Sequence, residues 1–251
     1  GLQRRGARHC AGVDDGGRER ALTSADERAP RAADATEVRT LAAWEIASVV
    51  SSVLIAEWAV TSLAEGSKLI GAVPTALAFI YVIVSHRLHG ESAREIGWQF
   101  ENFPRAARLL LLPTLVPAIV LIIAGWYVSS LNFKRWGGGH LFFGVLPFGV
   151  MWGLLQQYIL QGFVNRRAVL IWGRGWRSIL FVAIIFAALH LPNPWLTSVT
   201  FAGGLVWAAV YQRAPNLFAL GLSHALMTWV LVSTVPPSAL HSLRVGFNYF
   251  R

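Results

Sequence analysis

Acidic residues are absent from most of this chain. No Asp or Glu follows Glu101 among the 251 residues, so residues 102–251 hold no carboxylate side chain. A Ser-His-Asp triad therefore has no obvious orienting acid in that part of the chain. Ser223 and His224 are neighbours in "GLSHA", but adjacent helical residues point about 100° apart, which argues against a catalytic dyad there.

Cysteine and charge are also scarce. The single cysteine, Cys10, excludes an intrachain disulfide and a zinc site built from cysteines. Charged residues make up 14% of the chain and hydrophobic residues 55%, whereas a soluble protein carries about 25% charged residues. Because the apolar residues come in long blocks, the sequence predicts an integral membrane protein with the lipid bilayer as its partner.

The formal net charge of +9 could indicate nucleic-acid binding. However, the basic residues lie mainly between hydrophobic blocks, and no basic-aromatic binding motif accompanies them, so we predict no nucleic-acid partner. With the N-terminus in the cytoplasm, seventeen Lys and Arg residues fall on the inner side and five on the outer side. This asymmetry favours a cytoplasmic N-terminus.

Seven blocks qualify as membrane spans, each of which needs about 20 apolar residues. They lie near residues 41–60, 69–85, 107–131, 141–161, 178–191, 195–211 and 216–234. The expected fold is therefore all-α, a polytopic transmembrane helix bundle of about seven spans. An eighth helix would result if residues 235–251 add a short one.

The first 40 residues have a different composition from the rest. They hold eight Arg and seven Asp or Glu, with no apolar run. Such a segment cannot bury enough apolar surface to fold alone. We expect residues 1–40 to be a disordered, charged tail and residues 41–251 to form the transmembrane domain.

Polar side chains inside the blocks are few. Gln156, Gln157 and Gln161 close the fourth block, His190 ends the fifth, and His224 lies within the seventh. Amides and imidazoles need hydrogen-bond partners in a membrane interior, where they either bond across helices or mark a functional site. Because they fall on three of four consecutive blocks, we favour one shared polar cavity.

Helical spacing adds two residues to this cavity. Residues four apart share a helix face, which places Phe186 with the first histidine and Thr228 with the second. Glu45 and Glu57, near the two ends of the first block, are interpreted as snorkelling to the membrane interfaces. Two imidazoles without a nearby carboxylate or thiolate fall short of the three or four ligands of a stable metal site, so neither a metal nor another cofactor is expected.

Three short motifs resemble those of a known protein family in their order and spacing. They are "QQYILQ" at 156–161, "FAALH" at 186–190 followed by "LPNP", and "HALMT" at 224–228. Together they resemble the CPBP family of CAAX-processing and bacteriocin-processing intramembrane proteases, also called the Abi family. Its motifs are Glu-Glu-x-x-x-Arg, Phe-x-x-x-His and His-x-x-x-Asn or Asp. The resemblance covers about residues 141–234, which would form a CAAX-protease-like core.

The first motif departs from the family pattern. The resemblance gives Gln156 and Gln157 the positions of the glutamates, one of which activates water, and Gln161 the position of the arginine. A glutamine amide has no useful basicity near neutral pH, and general-base catalysis typically supplies about 10²–10⁴-fold in rate. Replacing both acids and the arginine together avoids leaving one buried charge unpaired.

The other two motifs keep more of their chemistry. By resemblance, His190 assists the glutamate, while His224 and Thr228 take the positions that stabilise the oxyanion. Thr228 stands where the family has Asn or Asp and replaces that donor only partly. Phe186 and Asn193 are expected to line the substrate cavity.

Three functions remain open from the sequence. The first is an intramembrane endopeptidase acting on a membrane-associated or prenylated peptide, with His190 or His224 serving as base. The second is a non-catalytic pseudoprotease that binds a lipid, a peptide or a partner in the cavity that corresponds to the catalytic cavity of active relatives. The third is a different enzyme acting on an isoprenoid-like lipid, with aromatic rings stabilising a cation.

Overall fold

The structure is a computed structural model that describes residues 28–63, 68–135 and 146–251. Within these ranges the chain forms helices and connecting turns and contains no β-strand. The all-α prediction is therefore confirmed for the described part of the chain.

The chain divides into two compact units, Gly1–Leu41 and Ala42–Arg251. The first described helix begins at Arg28, so residues 28–40 are helical, although their composition suggested disorder. Alanine and arginine, which are frequent in this stretch, are good helix formers. Residues 1–27 of the expected tail lie outside the described residues.

Eleven α-helices, numbered in chain order, run through the described ranges. They are α1 (Arg28–Leu54), α2 (Thr61–Leu63), α3 (Lys68–Leu88), α4 (Ala93–Ile96), α5 (Phe103–Tyr127), α6 (Leu146–Gln157), α7 (Arg166–Trp172), α8 (Trp176–Ala188), α9 (Pro194–Arg213), α10 (Leu217–Thr234) and α11 (Pro237–Leu240). π-Helical segments Ile55–Val60 and Tyr158–Asn165 join α1 to α2 and α6 to α7. Short 3₁₀ turns, His241–Leu243 and Gly246–Phe250, come after α11.

Three helical stretches of the described chain are long and apolar enough to cross a membrane: Asp34–Leu63, Phe103–Tyr127 and Leu217–Thr234. Two further apolar helices, Ala72–Leu88 and Trp176–Ala188, are shorter. These helices support the membrane class, but the predicted count of about seven spans is not confirmed. The start of the fourth predicted block falls outside the described residues.

Hydrogen bonds at both ends fix the relative direction of α5 and α10. At one end Asn216 Nδ2 donates to Asn102 Oδ1 over 2.7 Å, which joins the two helix starts. At the other end the backbone N–H of Asn132 donates to the carbonyl oxygen of Ser233 over 2.8 Å. The two helices therefore run side by side in the same direction, and together they form one side of the candidate site.

Glycines allow α6 to approach α10 closely. A Cβ at Gly153 would lie 2.8 Å from the carbonyl oxygen of Gly221, and a Cβ at Gly221 would lie 2.6 Å from the Leu154 side chain. Small residues at such contacts let backbones pack closely in membrane helices, where packing rather than hydrophobic exclusion drives association. This contact places Gln157 of the first motif next to His224.

A partly buried ionic cluster joins α1, α3 and α7. Its members are Glu45, Ser85, His86, His89, Glu91, Arg166 and Arg167. Arg167 is 1% exposed and donates from Nε to Glu45 over 2.6 Å and from Nη1 to Glu91 over 3.0 Å. Glu45 is buried as well and also accepts a hydrogen bond from Ser85. The snorkelling interpretation of Glu45 is therefore wrong, because a guanidinium compensates its charge inside the bundle.

Glu91, the loop carboxylate of the ionic cluster, should make the stability of the fold sensitive to acid. Burial by itself would raise the pKa of Glu91, but hydrogen bonds from His86, Arg167 and Arg166 hold this pKa well below its ordinary value of 4.5. A carboxyl whose folded-state pKa is depressed stabilises the fold above its unfolded pKa, and this contribution is lost as pH falls. We expect the free energy of unfolding to decrease as pH falls below about 4.5, measured by unfolding in detergent.

The Glu91→Gln variant should reduce this pH dependence, because the amide does not titrate in this range. Glu101→Gln is the matched control: Glu101 also pairs with an arginine over 2.7 Å, but its side chain is 60% exposed. Water screens such a surface pair, so this variant should keep the pH dependence of the parent protein. Equal slopes in all three proteins would contradict the assignment.

Candidate functional site

A cavity of about 580 Å³ lies among α5, α6, α9 and α10, within the size range of small-molecule sites. Its lining is mainly apolar, with side chains such as Val120, Phe148 and Val206. The polar lining includes the motif positions Gln156, His190, His224 and Thr228. The structure therefore brings residues of all three sequence motifs to one cavity, and none of the described lining residues is acidic.

The three glutamines point to different surroundings. Gln156 lines the cavity, and its Oε1 is buried without a hydrogen-bond partner among the described residues. Gln157 is fully buried and donates from Nε2 to Nδ1 of His224 over 3.1 Å. Gln161 is also fully buried and accepts a hydrogen bond from Asn165 over 2.8 Å. Only Gln156 is therefore in a position to meet a ligand directly.

His190 presents a hydrogen-bond acceptor. Its Nδ1 lies 2.7 Å from the carbonyl oxygen of Phe186. A carbonyl can only accept, so Nδ1 carries the proton and donates, which leaves the lone pair on Nε2. The Phe186 ring packs edge-on against this imidazole with centroids 4.8 Å apart. The second motif therefore holds His190 in a single tautomer beside the cavity.

His224 has the opposite tautomer. The Gln157 amide nitrogen can only donate, so Nδ1 of His224 accepts and Nε2 carries the proton. The indole of Trp207 stacks on the imidazole, with centroids 4.6 Å apart and planes inclined by 17°. Thr228 donates its hydroxyl hydrogen to the backbone carbonyl of His224 over 3.0 Å, one helical turn away. The cavity is thus lined by one imidazole that can accept and one that can donate.

Two residues predicted to line the cavity lie behind its surface. Phe186 is buried and contacts the rings of both histidines, so it supports them rather than standing among the lining side chains. Asn193 is fully buried and caps the start of α9 by accepting the N–H of Leu196. Its Nδ2 donates to the carbonyl oxygen of Leu240 over 2.9 Å, which ties it to the C-terminal segment.

Three residues of the site were not selected from the sequence. Trp207 stacks on His224 and donates from Nε1 to Ser223 Oγ over 3.1 Å. Ser223 also bonds Thr114, with the two hydroxyl oxygens 2.8 Å apart. Trp207 is one of eleven tryptophans, and its position alone did not distinguish it from the others. The glycine one turn earlier, Gly203, could have served as a signal, because a Cβ there would lie 2.8 Å from the indole. Ser223 bonds the indole and Thr114 rather than the neighbouring imidazole.

Residues that could hold a metal do not cluster in the described part of the chain. No group of three or more His, Cys, Asp or Glu side chains is arranged to bind an ion there. The contacts of the two cavity histidines are instead hydrogen bonds to Gln157 and to the Phe186 carbonyl, together with packing against aromatic rings.

The apolar helices and the cavity between them fit a helical membrane protein. Residues 140–230 match the family model described as type II CAAX prenyl endopeptidase Rce1-like. The matched range includes all three motifs and nearly coincides with the core expected at residues 141–234. Over this segment the chain is similar to CAAX-protease-like proteins, in agreement with the resemblance carried by the three motifs. No curated protein and no solved structure matches the chain.

Proposed function

We propose that this protein binds the prenyl chain and adjoining peptide of a lipid-modified polypeptide in its cavity, without cleaving it by a glutamate-dependent reaction. The observation that carries the proposal is the composition of the cavity wall. Apolar side chains surround a small group of neutral hydrogen-bonding side chains, and no carboxylate stands among the described lining residues. Such a site offers recognition but lacks the acid that would activate water.

The apolar wall suits a branched hydrocarbon chain. Pro113, Pro117, Trp152 and Met227 contribute rigid, aromatic and adaptable surfaces to it. A chain that leaves the bilayer for this cavity gains little from the hydrophobic effect, because lipid is equally apolar. Selection must therefore come from the fit of the chain and from the polar groups that meet its attachment point.

The polar side chains suit a peptide group. Gln156 Oε1 and His190 Nε2 can accept hydrogen bonds, whereas Nε2–H of His224 can donate one. A peptide bond carries one N–H donor and one carbonyl acceptor. A carboxylate-free cavity with both kinds of partner is therefore complementary to an amide beside an apolar chain.

The membrane orientation belongs to the same proposal. We propose that the N-terminus lies in the cytoplasm, which the excess of Lys and Arg on that side supports. The ionic cluster would then lie at the cytoplasmic end, since it contains Arg166 and Arg167 from the loop region predicted to be inside. A cysteine-accessibility experiment with the Ser92→Cys variant tests this orientation, because Ser92 lies in an exposed loop. If this loop is cytoplasmic, an impermeant thiol reagent should not label the variant in intact cells.

Binding is tested with the purified protein in nanodiscs and a fluorescent peptide that ends in a farnesylated cysteine. The same peptide without the farnesyl group is the matched ligand, and empty nanodiscs measure partition into lipid. We expect protein-dependent binding of the farnesylated peptide with at least about tenfold preference over the unmodified peptide. Equal signals with empty and protein-containing nanodiscs would contradict the proposal.

Hydrolysis by histidine is a second candidate, favoured by one observation. Because His190 Nδ1 donates to the Phe186 carbonyl, Nε2 keeps a lone pair that could accept a proton from water. Nε2–H of His224 would then stabilise the developing oxyanion. Cleavage of the farnesylated peptide that disappears in His190→Ala would favour this reaction over simple binding. Retention of cleavage in that variant would exclude His190 as the base.

A further inference from the structure

The segment after α10 adds a wall to the cavity. Residues 237–246, here called the C-terminal strap, place Leu243 and Val245 among the lining residues. Both side chains pack against a small hydrophobic cluster that includes Leu196 and Leu231, which also line the cavity. This cluster is distinct from the main core that contains Trp207 and Phe186. The strap therefore contributes two apolar side chains to the cavity wall beside those of α9 and α10.

The strap holds an unusual backbone conformation. His241, Ser242 and Leu243 have φ values of 46°, 53° and 60°, so three successive residues with side chains occupy the left-handed region. This region is unfavourable for residues that carry a Cβ, and it persists only where surrounding contacts impose it. The conformation turns the chain so that Leu243 and, two residues later, Val245 contribute to the cavity wall.

Asn193 supplies contacts that hold the strap. Its Nδ2 donates to the carbonyl oxygens of Leu240 and Arg244, over 2.9 and 3.2 Å, on either side of the left-handed residues. The backbone N–H of Gly246 donates to the carbonyl oxygen of Leu191 over 2.8 Å. The strap is therefore fixed to the turn that comes after His190 through Leu240, Arg244 and Gly246.

We propose that the C-terminal strap is the wall that selects the length of the apolar chain, with Leu243 and Val245 as the specificity-determining residues. This inference rests on the proposed function, because it assumes that an isoprenoid chain occupies the cavity. The strap wall consists of two side chains outside the membrane helices, and the strap is held by the Asn193 side chain and by the backbone N–H of Gly246. Shortening those side chains should enlarge the cavity at the strap, and the hydrogen bonds of His190 to the Phe186 carbonyl and of His224 to Gln157 involve no strap residue.

The test is a competition between a farnesylated and a geranylgeranylated form of one peptide for the protein in nanodiscs. Retention of each peptide is expressed relative to its amount in the surrounding lipid, so that differences in partition cancel. Relative to the parent protein, the Leu243→Ala/Val245→Ala variant should shift the ratio of bound peptides about tenfold toward the longer chain. An unchanged ratio in a variant that still binds would overturn the inference.

A second pair of variants distinguishes an effect of the strap on chain selection from a general loss of stability. Asn193→Asp keeps the oxygen that caps α9 but loses the Nδ2 donor to the strap. Asn216→Asp is the matched control, because Asn216 is also fully buried, caps α10 through Ala219 and donates from Nδ2 to a neighbouring loop. Only Asn193→Asp should change the ratio of bound chains. Equal ratios in both variants would overturn the role of the strap.

The outcomes distinguish the two proposals. If the parent protein binds neither prenylated peptide above empty nanodiscs, the proposed function fails and the strap inference fails with it. If it binds both peptides and the strap variants leave their ratio unchanged, the proposed function stands and only the strap inference fails. A shifted ratio with retained binding supports both.

Discussion

Replacing Arg167 with methionine is expected to lower the free energy of unfolding by about 3–5 kcal/mol. The guanidinium is 1% exposed and is bonded to Glu45, Ser85 and Glu91. Methionine preserves much of the side-chain volume but leaves the carboxylate of Glu45 buried without its cation. The loss comes mainly from that unpaired charge rather than from the attraction itself.

Two further variants identify this cause. Arg167→Met/Glu45→Gln removes both charges and should recover a large part of the stability, because no buried ion then lacks a partner. Arg94→Met breaks an ion pair with Glu101 of similar length, 2.7 Å, at an exposed position, and should cost less than about 1 kcal/mol. Unfolding by denaturing detergent, followed by tryptophan fluorescence, measures all three. Similar losses for the buried and exposed arginines would contradict the account of the ionic cluster.

Filling the cavity should strongly weaken binding of a prenylated peptide. Ala202 lies on α9, lines the cavity and is exposed, so a larger side chain there does not require repacking of the core. Ala202→Trp adds an indole at the wall of the 580 Å³ space and competes with the chain for it. We expect the dissociation constant of the farnesylated peptide to rise by about 100-fold, measured in nanodiscs.

The control for this substitution lies one turn earlier on the same helix. Ser198 is exposed like Ala202, but it is not among the residues that line the cavity. Ser198→Trp therefore adds the same indole to the same helix outside the cavity and should leave binding within about twofold of the parent protein. A comparable loss in both variants would show that the indole acts through α9 rather than through occupation of the cavity.

Patterns along the chain predicted the helical membrane class and the approach of three motifs. Hydrophobic blocks and motif order are local or periodic features, so they can be recognised without knowing the packing. Gln156, His190, His224 and Thr228 were assigned from such spacing, and all four line one cavity. The spacing could not show that Gln157 and Gln161 turn away from that cavity, because their orientation depends on neighbours in α9 and α10.

The ionic cluster was missed because its partners are far apart in sequence. Glu45 and Arg167 are separated by 122 residues, and each taken alone is typical of a membrane-interface residue. Asn193 was assigned to the cavity from its position after the second motif. Its Nδ2 instead donates to backbone carbonyls of a C-terminal segment. No local sequence pattern predicts the left-handed conformation of that segment.

The fate of a bound peptide tests the central claim most directly. The purified protein in nanodiscs is incubated with the farnesylated peptide, and the masses of the bound and released peptides are then determined by mass spectrometry. A cavity that recognises the chain but lacks a carboxylate should return the bound peptide at its full mass. Recovery of a shortened peptide in the parent protein, with its loss in His190→Ala, would contradict a purely binding function and establish hydrolysis.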